Sequence, residues 1–86
     1  MECWSELERV AFGRRLADAR QAKGLNQDDI AAIFDISKQA VSHWERGRNQ
    51  PTAEQLSILA RELQVSADWL LSGRAAPTLP PELSPD

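Results

Sequence analysis

Apolar residues along the first quarter of the chain recur at a mainly helical spacing. Leu7, Val10, Ala11, Leu16 and Ala19 form the pattern, and Phe12 joins the same broad stripe. This predicts an amphipathic helix. Ser5 followed by Glu8 is a capping-box pattern at its start, and Gly24 supplies a left-handed stop after about Lys23. A second helix is predicted from Asn26, a good N-cap, with Asp28 and Asp29 suiting the positive end of the helix dipole. Its inward face is Ile30, Ala31 and Phe34. Only Asp35 and Ile36 then precede a third start at Ser37. The third helix is expected over Lys38 to Arg46, with Val41 and Trp44 facing inward and Gly47 ending it. Thr52 with Gln55 is another capping box, opening a helix whose buried side is Leu56, Leu59, Ala60 and Leu63. Ser66 caps a short fifth helix containing Trp69, Leu70 and Leu71, closed by Gly73. No stretch alternates convincingly with the period of two that a strand needs. The predicted class is therefore all-α, with five helices.

The chain has 86 residues, enough for one small domain. The expected organisation is an N-terminal arm over residues 1–5, a helical domain over 6–74 and a tail over 75–86. Four of the five prolines lie in that tail, and Pro breaks both helix and strand, so the tail is expected to be extended and disordered. No apolar run approaches the roughly 20 residues of a membrane span, and no secretory leader is evident. The single cysteine, Cys3, forms neither an internal disulfide nor a zinc site. A reducing cytoplasm is the expected location.

The net charge of −3 argues weakly against a nucleic-acid partner, but its distribution is uneven. All ten Lys and Arg lie between Arg9 and Arg74. That segment holds eight acids and so carries +2, while the two ends supply −5. A basic face remains available if these groups converge on one side.

Two helices joined by so short a connection suggest a helix-turn-helix, in which the second helix lies in the major groove of DNA. Ala31 is small where the helices must approach, Asp35 stands at the turn, and Ile36, Val41 and Trp44 point back to the core. The segments Gly24-Leu25-Asn26-Gln27, Ser37-Lys38-Gln39-Ala40-Val41-Ser42, Trp44-Glu45-Arg46-Gly47 and Val65-Ser66-Ala67-Asp68-Trp69-Leu70-Leu71 follow in order. With them the stretch from Phe12 to Leu71 resembles the DNA-binding domain of lambda-type phage repressors and Cro proteins, the Xre family. One departure is Asp35, where the family often has Gly. Asp tolerates the left-handed conformation better than most residues, so the turn is expected to survive with slight strain.

Helical geometry turns Lys38, Gln39, Ser42, His43 and Arg46 away from Val41 and Trp44. Gln39 suits adenine, and Lys38 suits guanine or a phosphate. The resemblance implies base contacts from Ser37, Lys38, Gln39, Ser42 and His43. It also implies phosphate contacts from Asn26 and Gln27 at a helix N-terminus, and from Arg48, Asn49 and Gln50 in the following loop. Arg46 reads as a phosphate contact or a solvated side chain. By the same resemblance, Arg20 and Glu45 are expected to form a structural, partly buried ion pair. Ile58 and Leu71 are candidates for a dimer interface, or else ordinary core or lone exposed apolar residues.

The chain is expected to be no enzyme. One histidine on a groove-facing helix supports no Ser-His-Asp set, there is no glycine-rich phosphate loop, and neither a metal nor a cofactor is called for. The leading expectation is a sequence-specific regulator, a repressor binding a pseudo-palindromic operator in double-stranded DNA as a homodimer. The second is an antitoxin-like protein that autoregulates its operator and holds a protein partner through its tail. A third, a protein-interaction module without DNA, ranks last, because no acid stands among Lys38, Gln39, Ser42 and His43.

Overall fold

The structure, a computed structural model, describes residues 5–73. The arm residues 1–4 and the tail over 75–86 lie outside the described residues. Five helices follow in order: α1 Glu6–Ala22, α2 Gln27–Phe34, α3 Lys38–Arg46, α4 Ala53–Leu63 and α5 Ala67–Ser72.

Each helix begins where a short polar side chain takes up a free backbone N–H. Ser5, Asn26, Ser37, Thr52 and Ser66 all accept from the residue three positions on. At α1, α2 and α4 the bond is reciprocated. Glu8, Asp29 and Gln55 accept from the backbone of Ser5, Asn26 and Thr52 at 2.9–3.0 Å. A cap of this kind contributes about 1 kcal/mol. Asp29 therefore completes a capping box as well as suiting the dipole.

The ends are reversals into left-handed backbone. After α1, Gly24 at φ 74° lets the Leu25 N–H reach the Arg20 carbonyl at 3.1 Å. The turn between α2 and α3 rests on Asp35, at φ 56° and ψ 46°. The expected left-handed turn at Asp35 is present. Helix α4 ends on Gln64, also left-handed at φ 58°, which carried no sequence signal. Its side-chain oxygen accepts from Lys23 Nζ at 2.6 Å, tying the ends of α1 and α4 together.

The core gathers Phe12, Leu16 and Ala19 of α1, Ile30 and Ala31 of α2, Val41 and Trp44 of α3, and Leu56, Leu59, Ala60 and Leu63 of α4. Val65 and Leu70 complete it. Burying a side chain such as Phe12 or Leu59 fully contributes about 1.5–3 kcal/mol. Phe34 packs edge-on against Trp44, with ring centres 5.7 Å apart, so the two helices of the motif share an aromatic contact.

The stripe expected on α1 needs correction. Leu7 is 82% exposed and Val10 40% exposed, whereas Phe12 and Leu16 are fully buried. At ~100° per residue, Leu7 and Val10 lie about 140–160° around the helix from Phe12. The helix carries two apolar stripes, and the Phe12–Leu16–Ala19 stripe faces the core. Helix α5 is held by α1: Arg15 Nε donates to the Leu70 carbonyl at 2.9 Å and Arg15 Nη2 to that of Leu71 at 3.0 Å. A cation at the carbonyl end of a helix also complements its dipole.

Candidate nucleic-acid interface

Helix α3 is pressed against α1 at close range, and Gly13 makes the approach possible. A Cβ at Gly13 would collide with the Glu45 carbonyl oxygen and lie 2.6 Å from that of Trp44. Glycine inside a helix costs about 0.5–1 kcal/mol relative to alanine. Here that cost is offset by seating one backbone on another. The C-cap of α3, two residues beyond Glu45, is fixed in the same way. Gly47 is buried and left-handed at φ 79°, and a Cβ there would fall 2.7 Å from Val10 Cγ2. Arg9 Nε donates to the Gly47 carbonyl at 3.1 Å. Val10, though partly exposed, thus still serves as a stop for α3.

One carboxylate sets the roll of the helix. Glu45 Oε2 accepts from Arg20 Nε at 2.7 Å, and Glu45 Oε1 accepts from Arg20 Nη2 at 3.3 Å. This two-pronged contact suits a guanidinium well. The side chains are only 12% and 8% exposed. Arg20 Nη1 donates onward to the Leu25 carbonyl at 2.9 Å, and Gln27 Nε2 donates to Glu45 Oε1 at 2.9 Å. The end of α1, the following turn, the start of α2 and the last turn of α3 therefore meet at Glu45. Arg20 neutralises a negative charge that would otherwise sit beside the outer face.

The outer face carries Lys38, Gln39, Ser42, His43 and Arg46. At ~100° per residue, Gln39 and Arg46 lie almost opposite the Val41–Trp44 edge, Ser42 and His43 about 130° from it, and Lys38 about 90°. Lys38, Gln39 and Arg46 are exposed, and Ser42 and His43 are half-buried. None of these five side chains bonds to another described residue. Ser37 is exposed, but its Oγ already accepts from the Ala40 N–H at 3.2 Å, so its hydroxyl hydrogen is what remains to donate. Asn26 is likewise engaged through its oxygen, to Asp29, leaving its amide nitrogen. Arg48 and Asn49 are exposed and Gln50 is half-buried. The Arg48 backbone N–H closes onto the His43 carbonyl at 2.9 Å, which folds this loop against the end of α3. A polar, net-basic strip thus runs along α3 into the loop, bordered by the start of α2.

A family model described as "Helix-turn-helix" matches residues 16–70. The chain belongs to this family. The chain is 35% identical over 70 residues to the transcriptional activator BcrR of Enterococcus faecalis, covering 81% of this chain and 34% of the relative. Among solved structures, it superposes on the restriction-modification controller protein C.AhdI from Aeromonas hydrophila. The TM-score there is 0.67 and the identity 31%, over 74% of this chain and 97% of the other. A second superposition is on the phage P22 c2 repressor in complex with a synthetic operator, at TM-score 0.67 and 34% identity. It covers 72% of this chain and 94% of that one. The chain spans about a third to a half of the length of curated relatives such as BcrR, DicA of Escherichia coli and the P22 repressor, at 34%, 50% and 31%. BcrR is a transcriptional activator, DicA a transcriptional regulator and C2 of phage P22 a repressor.

Two further features lie away from the outer face of α3. A cavity of about 370 Å³ opens between the ends of α1 and α4 and Trp69 of α5, and no residue of α3 lines it. Ile58 is half-buried on α4 and Leu71 is 39% exposed on α5. Among the described residues no cluster of His, Cys, Asp or Glu could hold a metal ion, and no helix is long and apolar enough to cross a membrane. Reading the sequence missed Gly13, Arg9, Arg15 and the bond from Gln27 to Glu45. Gly13 alone carried a signal, since a glycine within a helical pattern calls for a reason.

Proposed function

We propose that this helix-turn-helix reads the sequence of double-stranded DNA and that the protein regulates transcription by occupying an operator. Helix α3 lies in the major groove. Lys38 and Gln39, at its N-terminal end, reach base edges, with Ser37, Ser42 and His43 beside them. Asn26, Gln27, Arg46, Arg48, Asn49 and Gln50 hold phosphates on either side. The observation that carries this reading is the outer face of α3. Five polar side chains that bond to no other described residue stand on a helix whose Val41 and Trp44 are buried.

The protein binds as a homodimer. Two copies of α3 then enter successive major grooves about 34 Å apart and require a pseudo-palindromic site. Ile58 and Leu71 contribute to the contact between copies. Repression follows when the occupied site overlaps that of the polymerase. The likeness to a repressor solved on its operator supports this reading.

Selection from a random duplex pool at moderate salt tests it. The expected outcome is enrichment of a two-fold symmetric site with half-sites one helical turn apart. Enrichment of a single asymmetric half-site would remove the dimer, and enrichment of nothing would remove sequence reading altogether.

A further inference from the structure

Gln27 is assigned above to a phosphate, and in the free protein its amide is already bonded to Glu45. The proposed role and the observed bond constrain one another. A carboxylate can only accept, so the Gln27 side chain must turn its nitrogen, not its oxygen, toward Glu45. The nitrogen carries two hydrogens. One is spent at 2.9 Å on Glu45 Oε1. The other is held in the plane of the amide, at a fixed angle to the first. Gln27 opens α2 and Glu45 lies in the last turn of α3, so this single bond spans the helix-turn-helix motif.

We infer that Glu45 is a positioning residue for the DNA-backbone contact of Gln27. Its carboxylate fixes the amide so that the second N–H is presented to a phosphate oxygen. The inference rests on the phosphate role proposed for Gln27. Arg20 is needed for it to work. With two guanidinium bonds on Glu45, the carboxylate does not repel an approaching phosphate. The Arg20 bond to the Leu25 carbonyl fastens the arrangement to the turn just before α2. The same side chain that sets the roll of α3 therefore sets the position of the phosphate grip relative to the base-reading face. The two cannot drift apart without breaking this bond.

The test compares Gln27→Leu in two backgrounds, the native chain and a chain carrying Arg20→Met with Glu45→Leu. Removing both charges together leaves neither stranded, which favours folding. The probe is a mixed-sequence duplex at low salt, since a phosphate contact is blind to base sequence. In the native background Gln27→Leu is expected to weaken binding about tenfold, the scale of one hydrogen bond to a charged group. In the apolar background it is expected to change binding less than twofold, because the amide there is no longer aimed. A tenfold loss in both backgrounds overturns the positioning role and leaves the phosphate contact standing. No loss in the native background overturns both.

A second measurement needs no variant to fold. In the native protein, NMR resolves the two hydrogens of the Gln27 amide. On titration with the duplex, the hydrogen on Glu45 is expected to keep its shift while its twin moves. If the Glu45-bonded hydrogen loses its shift on binding, the amide has left the carboxylate and the inference falls.

Discussion

On the inward side of α3, Val41 is fully buried, Trp44 is 4% exposed with an aromatic partner in Phe34, and the backbone rests where Gly13 leaves no Cβ. About half a turn away on the same nine residues, Gln39, Ser42, His43 and Arg46 touch no other described side chain through a hydrogen bond or charge. The difference lies between atoms whose positions are over-determined and atoms that make no hydrogen bond or ion pair among the described residues. A helix read by a partner needs both: fixed roll and depth on one side, unspent donors and acceptors on the other. The helix ends show the same contrast in the backbone. Asp35 and Gly47 are both left-handed, but Asp35 is exposed, whereas a side chain at Gly47 would strike Val10.

Substitution on the packed side should bring the largest change. Trp44→Ala is expected to cost about 3–5 kcal/mol, the scale for a buried aromatic, and in so small a domain that removes most of the stability. Urea denaturation would show it, and a loss under 1 kcal/mol would mean that the seat of α3 is looser than its burial implies. Glu45→Ala comes next. Stranding a fully buried partner costs about 3–5 kcal/mol, and the slight exposure of Arg20 brings the expected value to the lower end. It should lower thermal stability more than it alters base preference. Native stability with altered preference would reverse the assignment.

Asp35→Gly should move stability the other way, by a gain of up to about 1 kcal/mol, because glycine carries no penalty in left-handed backbone. An unchanged melting temperature would show that the turn holds Asp35 without strain. The smallest effect on folding is expected at Gln39→Ala, within about 0.5 kcal/mol, as for a surface change. Its effect on DNA should be large by contrast. Loss of a bidentate base contact costs about 1–3 kcal/mol and relaxes preference at one base pair. Equal affinity for every variant of that base pair before and after the substitution would take Gln39 out of the reading face.

All five helix starts were legible in the sequence, because a cap acts within three residues and both partners lie side by side in the chain. The stops at Gly24, Gly47 and Gly73 were legible because glycine adopts φ near +75° without penalty. Gln64 adopts the same region without announcing it. Its bond with Lys23 links the ends of two helices 41 positions apart.

The sequence by itself determined the number of helices, their starts, the stops at glycine and the polar identity of the outer face of α3. Those follow from interactions along the chain and from a periodicity of 3.6 residues. The tertiary structure decided which α1 stripe is buried, where α3 rests on Gly13, how Arg9 and Arg15 clasp helix ends 38 and 55 residues away, and that Gln27 shares Glu45 with Arg20. These depend on how helices cross, and the crossing is fixed only when the core closes and buried polar groups must find partners among whatever it brings near.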